Sequence, residues 1–73
     1  MKKNYFKLDV IGSDGYSFMV CTTETNEEAV LDLAAENDLF QDADDRDRCM
    51  VDALVDNDDI QHFKEWDCLY ELD

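Results

Sequence analysis

The sequence has no proline and only two glycines, so it offers few points where a chain must bend or is free to swing. Linkers and low-complexity tails are rich in residues of that kind, and at this length their scarcity points to one folded domain over 1–73. A single histidine leaves no His-Glu-x-x-His pair. There is also no Gly-x-Ser-x-Gly elbow and no glycine-rich phosphate loop. Catalysis is therefore not expected. Nowhere do about 18 apolar residues run together, the minimum for a membrane-spanning helix.

The lysines of Met1-Lys2-Lys3-Asn4-Tyr5-Phe6-Lys7 are not followed by the apolar stretch of a signal peptide. The three cysteines, Cys21, Cys49 and Cys68, are an odd number with no close spacing, which suits a reducing cytosol better than a disulfide framework. With His62 they supply ligand types that zinc accepts, but structural zinc sites draw pairs from knuckles two to four residues apart. Here the nearest pair, His62 and Cys68, is six apart. No metal or other cofactor is expected on that basis.

Calcium fares no better. An EF-hand loop needs oxygen ligands at positions 1, 3 and 5, glycine at 6 and glutamate at 12. Counted from Asp42, position 5 is Arg46 and position 12 is Ala53. Counted from Asp56, position 5 is Ile60 and position 12 is Asp67.

What the chain does have is apolar material and acid. Hydrophobic residues make up 45% of it and aromatics 11%, too much for intrinsic disorder despite the high charge. A domain this small buries only about 60% of its unfolded surface, so Phe6, Phe18, Phe40, Phe63, Trp66 and Tyr70 are expected inside. The net charge is −14, and it is unevenly spread. Residues 1–22 hold three lysines against Asp9 and Asp14, a balance of +1. The remaining 18 carboxylates face Arg46, Arg48 and Lys64, a balance of −15. Such a field repels nucleic acid and anionic membranes and attracts basic surfaces.

Residues 4–11 alternate with period two and predict a half-buried strand. Asp14-Gly15 predicts a tight turn, with glycine supplying a positive φ. Residues 16–23, rich in β-branched and aromatic types, predict the returning strand. Thr25-Asn26-Glu27-Glu28 fits a capping box with Thr25 as the cap. The helix that follows turns Val30, Leu31, Leu33 and Ala34 inward and is expected to stop at a left-handed Asn37. Residues 41–48 read as a polar connection and 49–55 as a strand. Asp56-Asn57-Asp58-Asp59 predicts the start of a second helix, with His62 partly exposed on it, and 68–72 predict a last strand. The order ββαβαβ implies a small α+β domain, a four-stranded, mostly antiparallel sheet with two helices on one face.

The carboxylates are the expected contact residues. Glu28, Asp32 and Glu36, four residues apart on the first helix, form a rail with a step of about 6 Å, close to the phosphate step of a nucleic acid strand. Asp42, Asp44, Asp45 and Asp47, then Asp56, Asp58 and Asp59, extend it. The expectation is a non-catalytic acidic module that docks on a basic, nucleic-acid-binding protein. Nucleic-acid-mimic inhibitors carried by mobile elements are the analogous class. The alternative is an accessory or self-associating domain that uses Tyr5, Ile11 and Met19 of its near-neutral hairpin, the acidity then serving solubility.

Overall fold

The alternating segment forms strand β1 (Asn4–Val10), and the β-branched segment forms β2 (Tyr16–Thr22). In the computed structural model, described for residues 2–12, 14–53 and 55–72, these strands pair antiparallel with Phe6 opposite Val20 and Leu8 opposite Phe18. Because side chains alternate along a strand, Phe6, Leu8, Val10, Phe18 and Val20 share one face. Lys7, Asp9, Met19 and Cys21 share the other. The turn between the strands closes by a hydrogen bond from the Gly15 amide to the Gly12 carbonyl at 3.1 Å. The positive φ expected at Gly15 falls on Gly12 instead (φ 148°). Gly15 is needed for space, since a Cβ there would sit 2.7 Å from the Val10 carbonyl oxygen.

Helix α1 (Glu27–Glu36) begins one residue later than the capping box suggests. Asn26, not Thr25, is the N-cap, and its side chain accepts from the Glu28 amide at 2.8 Å. A 3-10 helix (Ala43–Arg48) occupies the polar stretch expected to be a connection. Strand β3 (Cys49–Asp52), helix α2 (Asn57–Glu65) and strand β4 (Leu69–Glu71) complete the ββαβαβ order, the last strands being shorter than expected.

The sheet order is β3-β1-β2-β4. β3 is antiparallel to β1 and β4 is parallel to β2, so the sheet is mixed and β2, β3 and β4 all run the same way. The fold class and the four-stranded sheet are as the sequence predicts; the side on which the second helix packs differs. The chain crosses from β2 to β3 through α1, then back from β3 to β4 through α2. Right-handed crossovers in opposite directions place their helices on opposite faces. Side chains agree with that placement. Val30 and Ala34 of α1 pack with Phe6, Leu8, Phe18, Val20 and Leu72 in one core. Phe63 of α2 is buried on the other side, where the Lys7 ammonium lies 5.9 Å from its ring centroid. That layer also covers Met19 and Cys21, both fully shielded from solvent.

Both helices end the same way. Asn37 is not left-handed (φ −97°); Asp38 (φ 57°) takes that conformation, and Asp67 (φ 56°) does so after α2. Amide-to-carbonyl bonds Leu39→Ala34 and Asp38→Ala35 close the first end, and Cys68→Phe63 and Asp67→Lys64 close the second. These are Schellman closures, in which glycine is the unstrained choice. Aspartate there adds backbone strain and a negative charge at the negative end of the helix dipole. Asp38→Gly and Asp67→Gly are each expected to stabilise the domain by about 1 kcal/mol, read as a higher urea midpoint at unchanged slope. A lower midpoint would mean that the aspartate side chains make a compensating contact.

Candidate functional site

The carboxylates expected to make contacts, Asp45 apart, fall into two groups, one on each side of the sheet. The first spans α1 and the 3-10 helix. Glu28, Asp32 and Glu36 are exposed along α1, and Asp42, Asp44 and Asp47 are exposed on and beside the 3-10 turn. The Arg46 guanidinium pairs with Asp32 and ties the two elements together. A cavity of about 420 Å3 lies between them, lined by Ala35, Asp38, Phe40, Gln41, Asp42, Ala43 and Arg46. The rail is therefore interrupted at its middle member, where Asp32 carries a partner. Among the described residues, no ion pair involves Glu28, Glu36, Asp44 or Asp47.

Asp56, Asp58 and Asp59 form the second group, at the start of α2 across the sheet. Asp56 is the N-cap, accepting from the Asp59 amide at 2.9 Å. Asp58 is exposed and Asp59 half-buried. One flat partner surface cannot lie on both groups at once, so the single acidic surface that the sequence suggests divides in two.

Asp45 belongs to neither group. It was expected among the contact residues, but it is only 3% exposed and serves the fold. Its carboxylate accepts from the Tyr16 hydroxyl at 2.7 Å, from the Asp42 amide at 3.2 Å and from the Arg48 guanidinium. Arg48 also donates to the Ile11 carbonyl at 3.3 Å, and a side chain on Gly12 would collide with it. The Tyr16 hydroxyl in turn accepts from the Gln41 amide at 2.7 Å. This network fastens the 3-10 helix to β2 and to the hairpin turn, and so sets where Asp44 and Asp47 are presented.

The Tyr16 hydrogen bond, helped by Arg48 and the Asp42 amide against the opposing effect of burial, holds the Asp45 carboxyl below the usual carboxylate range. Burial, joined by Asp45, pushes the Tyr16 phenol up. Tyr16→Phe leaves a buried carboxylate short of a donor and is expected to cost about 2 kcal/mol. A depressed folded pKa gives stability that is complete above the unfolded value of about 3.9 and lost as pH falls through the folded one. The melting-temperature gap between the parent and Asp45→Asn should hold from pH 7 to about 5 and close below about 4. A gap that persisted in acid would remove Asp45 from the account.

The cysteines and histidine do not converge. Cys21 lies on the α2 side of the sheet, whereas Cys49 pairs with Val10 on the α1 side. Burial and the charge of Asp9 push the Cys49 thiol up to about 11, which keeps it protonated at neutral pH. His62 is exposed against the Trp66 ring. Among the described residues no group of three His, Cys, Asp or Glu side chains is placed to hold a metal ion, and no helix is long and apolar enough to cross a membrane.

No protein-family model, curated protein or solved structure matches the chain.

Three expectations about apolar residues change. Tyr70, expected inside, is 37% exposed on the edge strand β4. Met19, offered as part of a hairpin patch, is completely buried because α2 covers that face. Trp66, expected in the core, is 63% exposed. Its position just past Glu65, the last residue of α2, was the available signal, since a C-cap side chain is not committed to the helix's inward face. Ile11 and Met50 are also exposed, at 55% and 61%.

Proposed function

We propose that the domain is a non-catalytic, cytoplasmic acidic module that docks its α1 and 3-10 surface on a basic, nucleic-acid-binding protein, where phosphates would otherwise sit. The observation that carries this reading is the fate of the nearby cations. Arg46 is held by Asp32 and Arg48 by Asp45, and Asp32 and Asp45 are the carboxylates in this region that these pairs consume. Glu28, Glu36, Asp42, Asp44 and Asp47 keep their charge toward solvent. A net negative surface of that kind steers a basic partner and releases it as salt rises. Inhibition of the partner, in the manner of a nucleic-acid mimic, follows if the two ligands share one surface.

The test is capture of proteins from host lysate on the immobilised domain at low salt, followed by a graded salt wash and competition with duplex DNA. Support is a nucleic-acid-binding protein that elutes over a narrow salt range and is displaced by DNA, as competing phosphate contacts require. A captured protein that resists both salt and DNA would contradict the reading. A second reading, self-association, rests on Ile11 and Met50, which stand exposed next to each other's strands at the turn end of the sheet. It requires dimerisation that is insensitive to salt and abolished by Ile11→Lys.

A further inference from the structure

Trp66 is the C-cap of α2 and the one tryptophan of the chain. In a domain with so little core, leaving that side chain 63% exposed forgoes the largest apolar contribution available to it. The corner that carries it is nevertheless well fixed. The Trp66 amide donates to the His62 carbonyl at 3.2 Å, and the Schellman bonds of Asp67 and Cys68 close the turn directly behind it. The Cys68 thiol bonds the Trp66 carbonyl at 3.4 Å. The His62 ring packs against the indole with centroids 4.0 Å apart at 62°, which covers one part of the ring and leaves the rest open. Glu65 and Asp67, the flanking residues, are both exposed. Lys64 is two residues back, and positions two apart on a helix do not face each other.

We infer that Trp66 is a docking anchor for a cationic side chain, arginine above all, presented by a basic partner protein. An indole face attracts cations through its quadrupole, and the planar guanidinium stacks on it while its donors reach nearby carboxylates. Glu65 and Asp67, exposed on either side of Trp66 in the sequence, add to the negative field that draws a cation to this corner. Tryptophan and arginine are also the residues most enriched at interface hot spots. A second copy of this chain is disfavoured as the occupant, because each copy carries −14 and the two would repel. An anionic membrane is disfavoured for the same reason.

The inference rests on the reading of the domain as a binder of basic proteins, but it places a contact outside the α1 and 3-10 surface. Trp66 leads into β4 through Asp67 and Cys68, on the α2 side of the sheet. A partner that touches both must wrap around the sheet from one face to the other.

The test uses the full chain with octa-arginine and octa-lysine peptides at low salt. Emission from the single tryptophan is followed directly, and affinity is measured separately by anisotropy of labelled peptide. Octa-arginine is expected to quench and shift the Trp66 emission more than octa-lysine does. Trp66→Ala should weaken octa-arginine binding about fivefold, with Trp66→Phe recovering part of the loss. The partial rescue separates stacking from any change in fold, which the melting temperatures of both variants report. Unchanged affinity in Trp66→Ala together with unaltered emission would overturn the anchor while leaving the acidic docking surface intact. Failure of both peptides to bind at low salt would overturn the anchor and the acidic docking surface together.

Discussion

Phe18→Ala is expected to leave the domain largely unfolded at room temperature and low salt. Phe18 is buried in the main core and touches three other rings. Its centroid lies 5.7 Å from that of Phe40 and 6.1 Å from that of Tyr70, both edge-on, and 6.3 Å from that of Tyr16, stacked. Through those contacts one side chain joins β2 to β4 and to the segment that follows α1. Truncating a buried phenylalanine costs about 3–5 kcal/mol, and a chain of this size has a total stability of roughly 4–11 kcal/mol. Repulsion among the carboxylates pushes the parent toward the lower end of that range. Far-UV circular dichroism and urea titration should therefore show Phe18→Ala without a folded baseline at low ionic strength, and partly restored by added salt. A cooperative transition within about 1 kcal/mol of the parent would mean that the ring cluster does not organise the core.

Much of this framework was legible in the sequence because local patterns dictate it. Alternation in 4–10 and β-branched density in 16–22 required a hairpin. Val30 and Ala34 on one side of α1, with Glu28 and Glu36 on the other, required an amphipathic helix. The one-residue errors at its ends have local causes. Asn26 is at least as good a cap as Thr25, and the left-handed position fell to Asp38 because the helix ran one residue further before closing. The strand order was not legible, and the second helix depended on it. Only once β3 and β4 are known to lie at opposite edges does crossover handedness send α1 and α2 to opposite faces. The split of the acidic surface and the burial of Met19 both follow from that one fact.

Asp45 was hidden for a different reason. In Gln41-Asp42-Ala43-Asp44-Asp45-Arg46-Asp47-Arg48 the carboxylates look equivalent, and nothing local says that one of them meets a tyrosine 29 residues earlier. The three-residue spacing from Asp45 to Arg48 was the sole hint, and Asp44, four residues before Arg48, has an equally good helical spacing without a pairing among the described residues. The lesson for the site is selective. Asp45, Asp32 and Asp56 have internal duties in pairing and capping, whereas Glu28, Glu36, Asp44 and Asp47 are exposed and unpaired among the described residues.

That distinction decides which charges to reverse. Asp44→Lys with Asp47→Lys changes the α1 and 3-10 surface from attractive to repulsive at two points, without touching the Asp45 network. A basic partner seated there would meet like charges, and the expected loss is about 3 kcal/mol, or roughly a hundredfold in affinity at low salt. The slope of log affinity against log salt should also fall, because fewer charge contacts remain to be screened. The control is a reversal of equal size across the sheet, Asp58→Lys with Glu71→Lys, which alters net charge identically on the α2 side and leaves the residues flanking Trp66 untouched. If the control weakens binding tenfold or less while the 3-10 pair weakens it a hundredfold, the partner recognises a face. Equal losses from the two pairs would mean that it responds to net charge alone, and the docking surface assigned to α1 and the 3-10 helix would be wrong. Both double variants lower the net charge magnitude, which offsets the loss of a first-turn carboxylate at Asp44 or Asp58, so neither should melt far below the parent. A shared loss of binding through unfolding is thereby separated from a loss of contact by one melting curve for each.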